Sequence, residues 1–237
     1  FENIPFDCSS ALNLIGVHPQ LISLAREALG TEDVRLYQSQ VWAKFAGETD
    51  FEQSFHCDYG NHTLTVPSTD ATRNSITFLM YFSDVTERHG PTHYVSKSDS
   101  EKIYKSSEMF LGDSNAKHLQ TLLSKYEKST AGPAGTVFSN GIDVFHRATN
   151  ITIDRGYRFA VTSCFKKAGN DSIGYTARPF HQIKPWNIIF ENASPEQLHC
   201  LGVPMPGDSF WTDETLKLAS LRYPNWDIKE YEIKLKK

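Results

Sequence analysis

The sequence predicts a mainly β, α+β fold in which a double-sheet jelly roll carries flanking helices. Short β-branched and aromatic runs bounded by turn residues fill the middle of the chain. Amphipathic helical patterns gather at its two ends. At 237 residues, with no internal repeat and no low-complexity linker, the chain has the size of one domain around one core. The expected organisation is a single domain over residues 1–237, with a β core over about 34–165 and a helical C-terminal extension over about 166–237.

The first helix is expected over residues 18–29, HPQLISLAREAL, with Pro19 in the tolerated first turn and Gly30 as the stop. Its apolar face reads as Leu21, Leu24, Ala25 and Ala28, with Leu29 beside them. Residues 34–45, VRLYQSQVWAKF, alternate imperfectly and read as a half-buried strand. Residues 75–82, SITFLMYF, are almost continuously apolar, which suits a central strand covered on both faces. His89-Gly90-Pro91 then has to reverse the chain.

A second amphipathic helix is expected over 113–126, capped by Asp113 or Ser114, with Leu119, Leu122, Leu123 and Tyr126 on one side. Three short strands follow at 135–139, 144–148 and 158–165, separated by turns at Asn140-Gly141 and Asp154-Arg155-Gly156. Ser194-Pro-Glu-Gln is a capping box, and 212–222 is a further helix before Pro224. These last helices are expected on the outside of the barrel.

Composition narrows the function classes. A net charge of -4 with interspersed signs argues against a nucleic-acid groove, and Lys234, Lys236 and Lys237 read as a solvated tail. No apolar run approaches the roughly 20 residues that span a bilayer. Cys8, Cys57, Cys164 and Cys200 form no CxxC pair, so free thiols in a reducing, cytoplasmic setting are expected, in a monomer or homodimer. The chain opens at Phe1 and not at Met, which reads as a processed or trimmed product.

The chemistry concentrates in two places. His56-Cys57-Asp58 occurs as the one His-x-Asp in the chain, and a two-residue period puts both ligands on one face of an extended segment. Alone the triplet is weak. A second imidazole, His146 at the end of a predicted strand, would complete the His, Asp, His facial set that leaves three adjacent metal positions open. Arg158 opens the next strand, and its planar fork suits a carboxylate in the same cavity. Arg155 in the turn and Arg147 are the weaker candidates. Tyr59, Asn61, Thr65 and Trp186 are candidate lining residues, and 59–73 is a candidate lid. His62, His89, His93, His118, His181 and His199 read as surface or core histidines.

FHCDY, TERHGPTHYVSKSDSEK and HRATNITIDRGYRFAVT together resemble the phytanoyl-CoA dioxygenase family of iron(II) and 2-oxoglutarate oxygenases, over residues of about 34–165. The resemblance implies a cupin-like double-stranded β-helix in which His56, Asp58 and His146 bind iron and Arg158 binds 2-oxoglutarate. Lys44 and Thr65 join it as cofactor-binding candidates. Family members hydroxylate unactivated C–H bonds with dioxygen, releasing succinate and carbon dioxide. The family's small-residue segment after the Gly-Pro turn is replaced here by Ser-Lys-Ser-Asp, so the substrate is expected to differ, with a small free metabolite favoured over a coenzyme A thioester. A cupin-like enzyme that ignores 2-oxoglutarate and a non-catalytic binding module are the alternatives.

Overall fold

The computed structural model describes residues 2–48, 52–63, 67–103, 117–174 and 184–235. Its larger sheet has five strands in the order β1 (Glu2–Asn3), β2 (Val34–Phe45), β8 (Tyr157–Lys167), β3 (Ser75–Tyr81) and β6 (Val137–Gly141). A smaller sheet orders β5 (Lys128–Ser129), β4 (Thr92–Tyr94) and β7 (His146–Ala148). Every pairing is antiparallel, and chain neighbours are seldom sheet neighbours, as a jelly roll requires. Both sheets supply walls to one cavity.

The imperfect alternation in β2 has a local cause. The register against β8 shifts between Leu36 and Gln38, a bulge at Tyr37 that moves the outward side chains from even to odd numbers. Leu36 before it and Val41 after it therefore pack in the same outer core, with Phe78, Met80, Val161 and Phe165. The alternate residues of β2, β8, β3 and β6 face the cavity. β3 is buried along nearly its whole length, in agreement with its continuous apolar run.

Helices cover the outer face. Ser9 caps α1 (Ser10–Leu14), and His18 caps α2 (Pro19–Leu29), which ends on Gly30 in the left-handed region at φ 61°. The buried face of α2 is Leu21, Ile22, Ala25 and Leu29, whereas Leu24 is 47% exposed and Ala28 is also exposed. The helix is turned relative to the expected face because Ile22 and Leu29 dock on the sheet and Leu24 does not. At the C-terminal end α6 (Trp186–Asn192), α7 (Pro195–Cys200), α8 (Asp213–Arg222) and α9 (Lys229–Leu235) extend the same core. The Ser194 capping box forms as expected, and Lys234 belongs to the last turn of α9, not to a tail. Tyr231 packs edge to face against Trp211 and Trp226 in this layer, and the two indoles are tilted on each other. Trp186 sits there too, away from the cavity between the sheets, so it is not a lining residue of the expected site.

Two expected turns differ. Asn140-Gly141 is strand, because β6 continues to pair with Thr77 and Ile76 of β3, and the reversal falls after it. Asp154-Arg155-Gly156 is a bend as expected, with Arg155 exposed. Among the described residues three short helices lie in connections: α3 (Tyr59–His62), α4 (Lys97–Ser100) and α5 (Lys117–Leu123), the last running on into a tight turn at Ser124–Tyr126. Leu123 is the deeply buried residue of α5, while Asp113 and Ser114 lie outside the described residues. All four cysteines are free. Among the described residues no helix is long and apolar enough to cross a membrane.

Candidate metal centre and its cavity

His56 and His146 meet because their backbones pair. The His56 N–H donates to the His146 carbonyl at 3.0 Å, and the His146 N–H returns the bond at 3.0 Å. Directly opposed residues of an antiparallel pair project to one side, and the two imidazole rings stand 4.5 Å apart. Asp58 arrives differently from the expectation of an extended triplet. Its backbone is already helical (φ -69°, ψ -19°), since it caps α3 and accepts the His62 N–H at 3.1 Å. That turn swings the carboxylate to within 3.4 Å of His146 Nε2.

One ligand atom from each of the three lies within 4.8 Å of the others. Metal–nitrogen bonds run near 2 Å, so small side-chain rotations suffice to bring all three onto one ion. The ring orientations fit that use. His56 Nδ1 donates to the Ser54 carbonyl and His146 Nδ1 to the Val144 carbonyl, each at 3.0 Å, which leaves both Nε2 lone pairs for a ligand role. Burial alone would raise the Asp58 pKa, but His146, with His62 and His56, overrides it and holds the carboxyl at about 2. Burial works downward on His146 and is outweighed by Asp58, so its pKa is raised, while burial and then His146 lower that of His56.

This arrangement sets a pH dependence. Below the raised pKa of His146 a proton occupies the Nε2 that a metal would need, and it is held there by Asp58. Apparent metal affinity is expected to fall about tenfold per pH unit below that pKa and to be independent of this group above it. Titrations with a divalent metal between about pH 5 and pH 8 check this, and a flat profile over the whole range contradicts it.

The cavity measures about 610 Å³, within the usual range for small-molecule sites. Arg158 and Lys44 face each other across β8 and β2 and both line it. Arg158 is only 4% exposed. Its guanidinium donates to the Gly90 carbonyl and stands 5.9 Å over the Tyr81 ring, yet its Nε has no partner, and among the described residues no acidic side chain pairs with it. Gly90 can present that carbonyl because it sits at φ 66°, where a Cβ would come within 2.6 Å of the Thr149 oxygen. Lys44 donates to the Thr149 carbonyl, and burial followed by Arg158 lowers its pKa to about 8. Two cations at one buried end fit a dianionic ligand.

Of the other candidates, Asn61 lines the cavity, Tyr59 packs between two small core clusters instead, and Thr65 lies outside the described residues. The expected lid segment holds α3 and a tight turn at Ala71–Arg73. Arg147 is committed to Glu127 and Glu52, each at 2.7 Å. His93 joins Glu127 at 2.6 Å, His199 meets Asp33 at 3.1 Å, His89 bonds Thr86 at 2.8 Å and His118 is exposed, so these remain structural or surface histidines. His181 lies outside the described residues. His62 is the exception: it lines the cavity with its Nδ1 2.7 Å from the Tyr37 hydroxyl. Its spacing four residues after Asp58, one helical turn, was the available signal.

A jelly roll whose inner surface carries a His-x-Asp and a distal His at one place and a buried arginine at another has a donor set suited to non-haem iron. The chain belongs to the phytanoyl-CoA dioxygenase (PhyH) family, whose profile matches residues 9–158. Among solved structures it is similar to the epimerase SnoN, in complex with Fe3+, α-ketoglutarate and nogalamycin RO. That match has 17% identity and a TM-score of 0.53, covering 68% of this chain and 60% of the other. It is also similar to the non-haem α-ketoglutarate-dependent carbocyclase SnoK from nogalamycin biosynthesis, at 20% identity and a TM-score of 0.51, covering 66% of this chain and 58% of the other. At these identities the likeness is one of fold, and the chain spans less than two thirds of either structure. No curated protein matches it in sequence.

Proposed function

We propose that this chain is an iron(II)- and 2-oxoglutarate-dependent oxygenase that hydroxylates an unactivated C–H bond of a small metabolite. His56, Asp58 and His146 hold the iron, and Arg158, assisted by Lys44, holds the distal carboxylate of 2-oxoglutarate. The observation that carries the reading is Arg158: a buried guanidinium with an unpartnered Nε, in the same cavity as the three ligands. A cation left so is costly unless a ligand completes it.

When bound, iron(II) with 2-oxoglutarate and dioxygen supplies an oxidant for C–H bonds and yields succinate and carbon dioxide. The chain's own residues supply orientation and shelter. The Ser54 and Val144 carbonyls hold both imidazoles by Nδ1, so each presents Nε2 before any ion enters. Arg158 and Lys44 neutralise a carboxylate that would otherwise lose its hydration unpaired. Leu79, Phe138 and Ala148 give the cavity apolar wall against which a C–H bond can pack.

Succinate formation with iron(II), ascorbate and 2-oxoglutarate against a panel of small metabolites tests the proposal. A subset of the panel is expected to stimulate succinate release by wild type and not by His56→Ala. Product analysis then separates oxygen transfer from rearrangement of the kind named for the structural neighbours. Turnover of a substrate without the keto acid would overturn the assignment of Arg158.

A further inference from the structure

We propose that the end of the cavity farthest from Lys44 and Arg158 recognises an uncharged, hydroxyl-bearing small molecule, with Gln38, Asn140 and His62 selecting it. This rests on the reading that 2-oxoglutarate takes the cationic end.

The inner face of the large sheet is built in cross-strand rows. Lys44 pairs with Arg158, and Trp42 with Ala160 and then Tyr81. Gln40, Thr162, Leu79 and Phe138 form the next row, and Gln38, Cys164, Thr77 and Asn140 the last. Successive rows are two residues apart, so the cationic row and the last row are separated by roughly 20 Å along β2. The face thus passes from full positive charge, through a mixed middle in which Leu79 and Phe138 stand beside Gln40 and Thr162, to a last row of neutral polar groups.

The polar atoms of the last row are only partly used. Gln38 Oε1 accepts the Cys164 thiol at 3.6 Å, which leaves the carboxamide N–H groups facing the cavity. Asn140 is 7% exposed and donates to the Gly141 carbonyl at 3.2 Å, which leaves its Oδ1. The Tyr37 hydroxyl donates to Ser75 Oγ at 3.0 Å, so its oxygen accepts from His62 Nδ1, and His62 Nε2 is left with a lone pair. Tyr37 is 1% exposed and braces that ring edge to face, so the histidine is positioned.

One donor and two acceptors suit hydroxyl groups, which act as both. Among the described residues a carboxylate would meet two acceptors with no cation beside that row. An ammonium would lack a counter-charge, because Asp58 is the one acid lining the cavity among the described residues and it faces the candidate metal position. A buried charge left unpaired costs several kcal/mol, so the row discriminates by charge as well as by shape.

The test is ligand-observed NMR on the protein loaded with manganese(II) and 2-oxoglutarate, against a zinc(II)-loaded control. The probe library holds equal parts of neutral hydroxylated, carboxylate-bearing and amine-bearing fragments. Fragments broadened by manganese and not by zinc bind near the metal. In wild type these are expected to be the neutral hydroxylated ones. Asn140→Asp and Gln38→Glu, which keep shape and add a charge, are expected to move the preference toward amines by roughly tenfold or more. Carboxylates or amines dominating in wild type, or a preference that neither variant moves, would overturn the inference. Failure of manganese to broaden 2-oxoglutarate itself would instead overturn the reading of the cationic end on which it rests.

Discussion

Replacing Arg158 by methionine is expected to weaken 2-oxoglutarate binding by roughly 100-fold or more while leaving the ligand-free protein at least as stable. Two charge-assisted bonds to a carboxylate contribute about 1.5–3 kcal/mol each, and a methionine makes neither. The stability half of the expectation follows from burial. Arg158 is 4% exposed, donates one hydrogen bond to Gly90 and keeps its Nε unpartnered, so the ligand-free fold carries a desolvated cation. Burial lowers its pKa, and the Tyr81 hydroxyl only partly opposes that. Isothermal titration with 2-oxoglutarate and thermal melts of the ligand-free protein separate the two effects. A large fall in melting temperature with unchanged keto-acid affinity would mean that the guanidinium is a strut for the Gly90 turn and nothing more.

The second large effect is expected at His146. Its replacement by alanine should lower iron affinity by more than about 100-fold, beyond what the loss of an outer-shell partner costs. The fold should survive, because the bonds that join residue 146 to His56 are backbone bonds, which alanine retains. Metal content after dialysis and the far-ultraviolet circular dichroism of the same sample measure both. Iron retained at wild-type level in His146→Ala would exclude this residue as a ligand.

Much of the candidate site was legible because its signals are local. His56 and Asp58 form a triplet, and Arg158 follows His146 by 12 residues on the next strand. The fold class was legible for a related reason, since β2 and β3 carry their burial pattern in consecutive residues. What went astray depended on partners elsewhere in the chain. Asn140-Gly141 has turn chemistry, yet β3 lies alongside and its backbone groups take up the hydrogen bonds. Leu24 belongs to an apolar stripe, but the sheet meets α2 on the side of Ile22. Trp186 is aromatic and near no metal ligand in sequence, and only packing tells whether it lines a site or a helical core.

His62 shows the difference most sharply. As one histidine among nine it had no distinguishing neighbour beyond Asp58 one turn away. Its role as a cavity wall comes from Tyr37, 25 positions earlier, where a bulge turns the phenol toward it. The sequence by itself determined the residue types able to bind a metal and a carboxylate and the sheet-rich chain that carries them, because ligand chemistry and hydrophobic period are properties of the residues themselves. Tertiary structure alone decided that the cations stand at one end of the cavity and neutral donors and acceptors at the other. That division arises from strand register, and register is a relation between segments far apart in the chain.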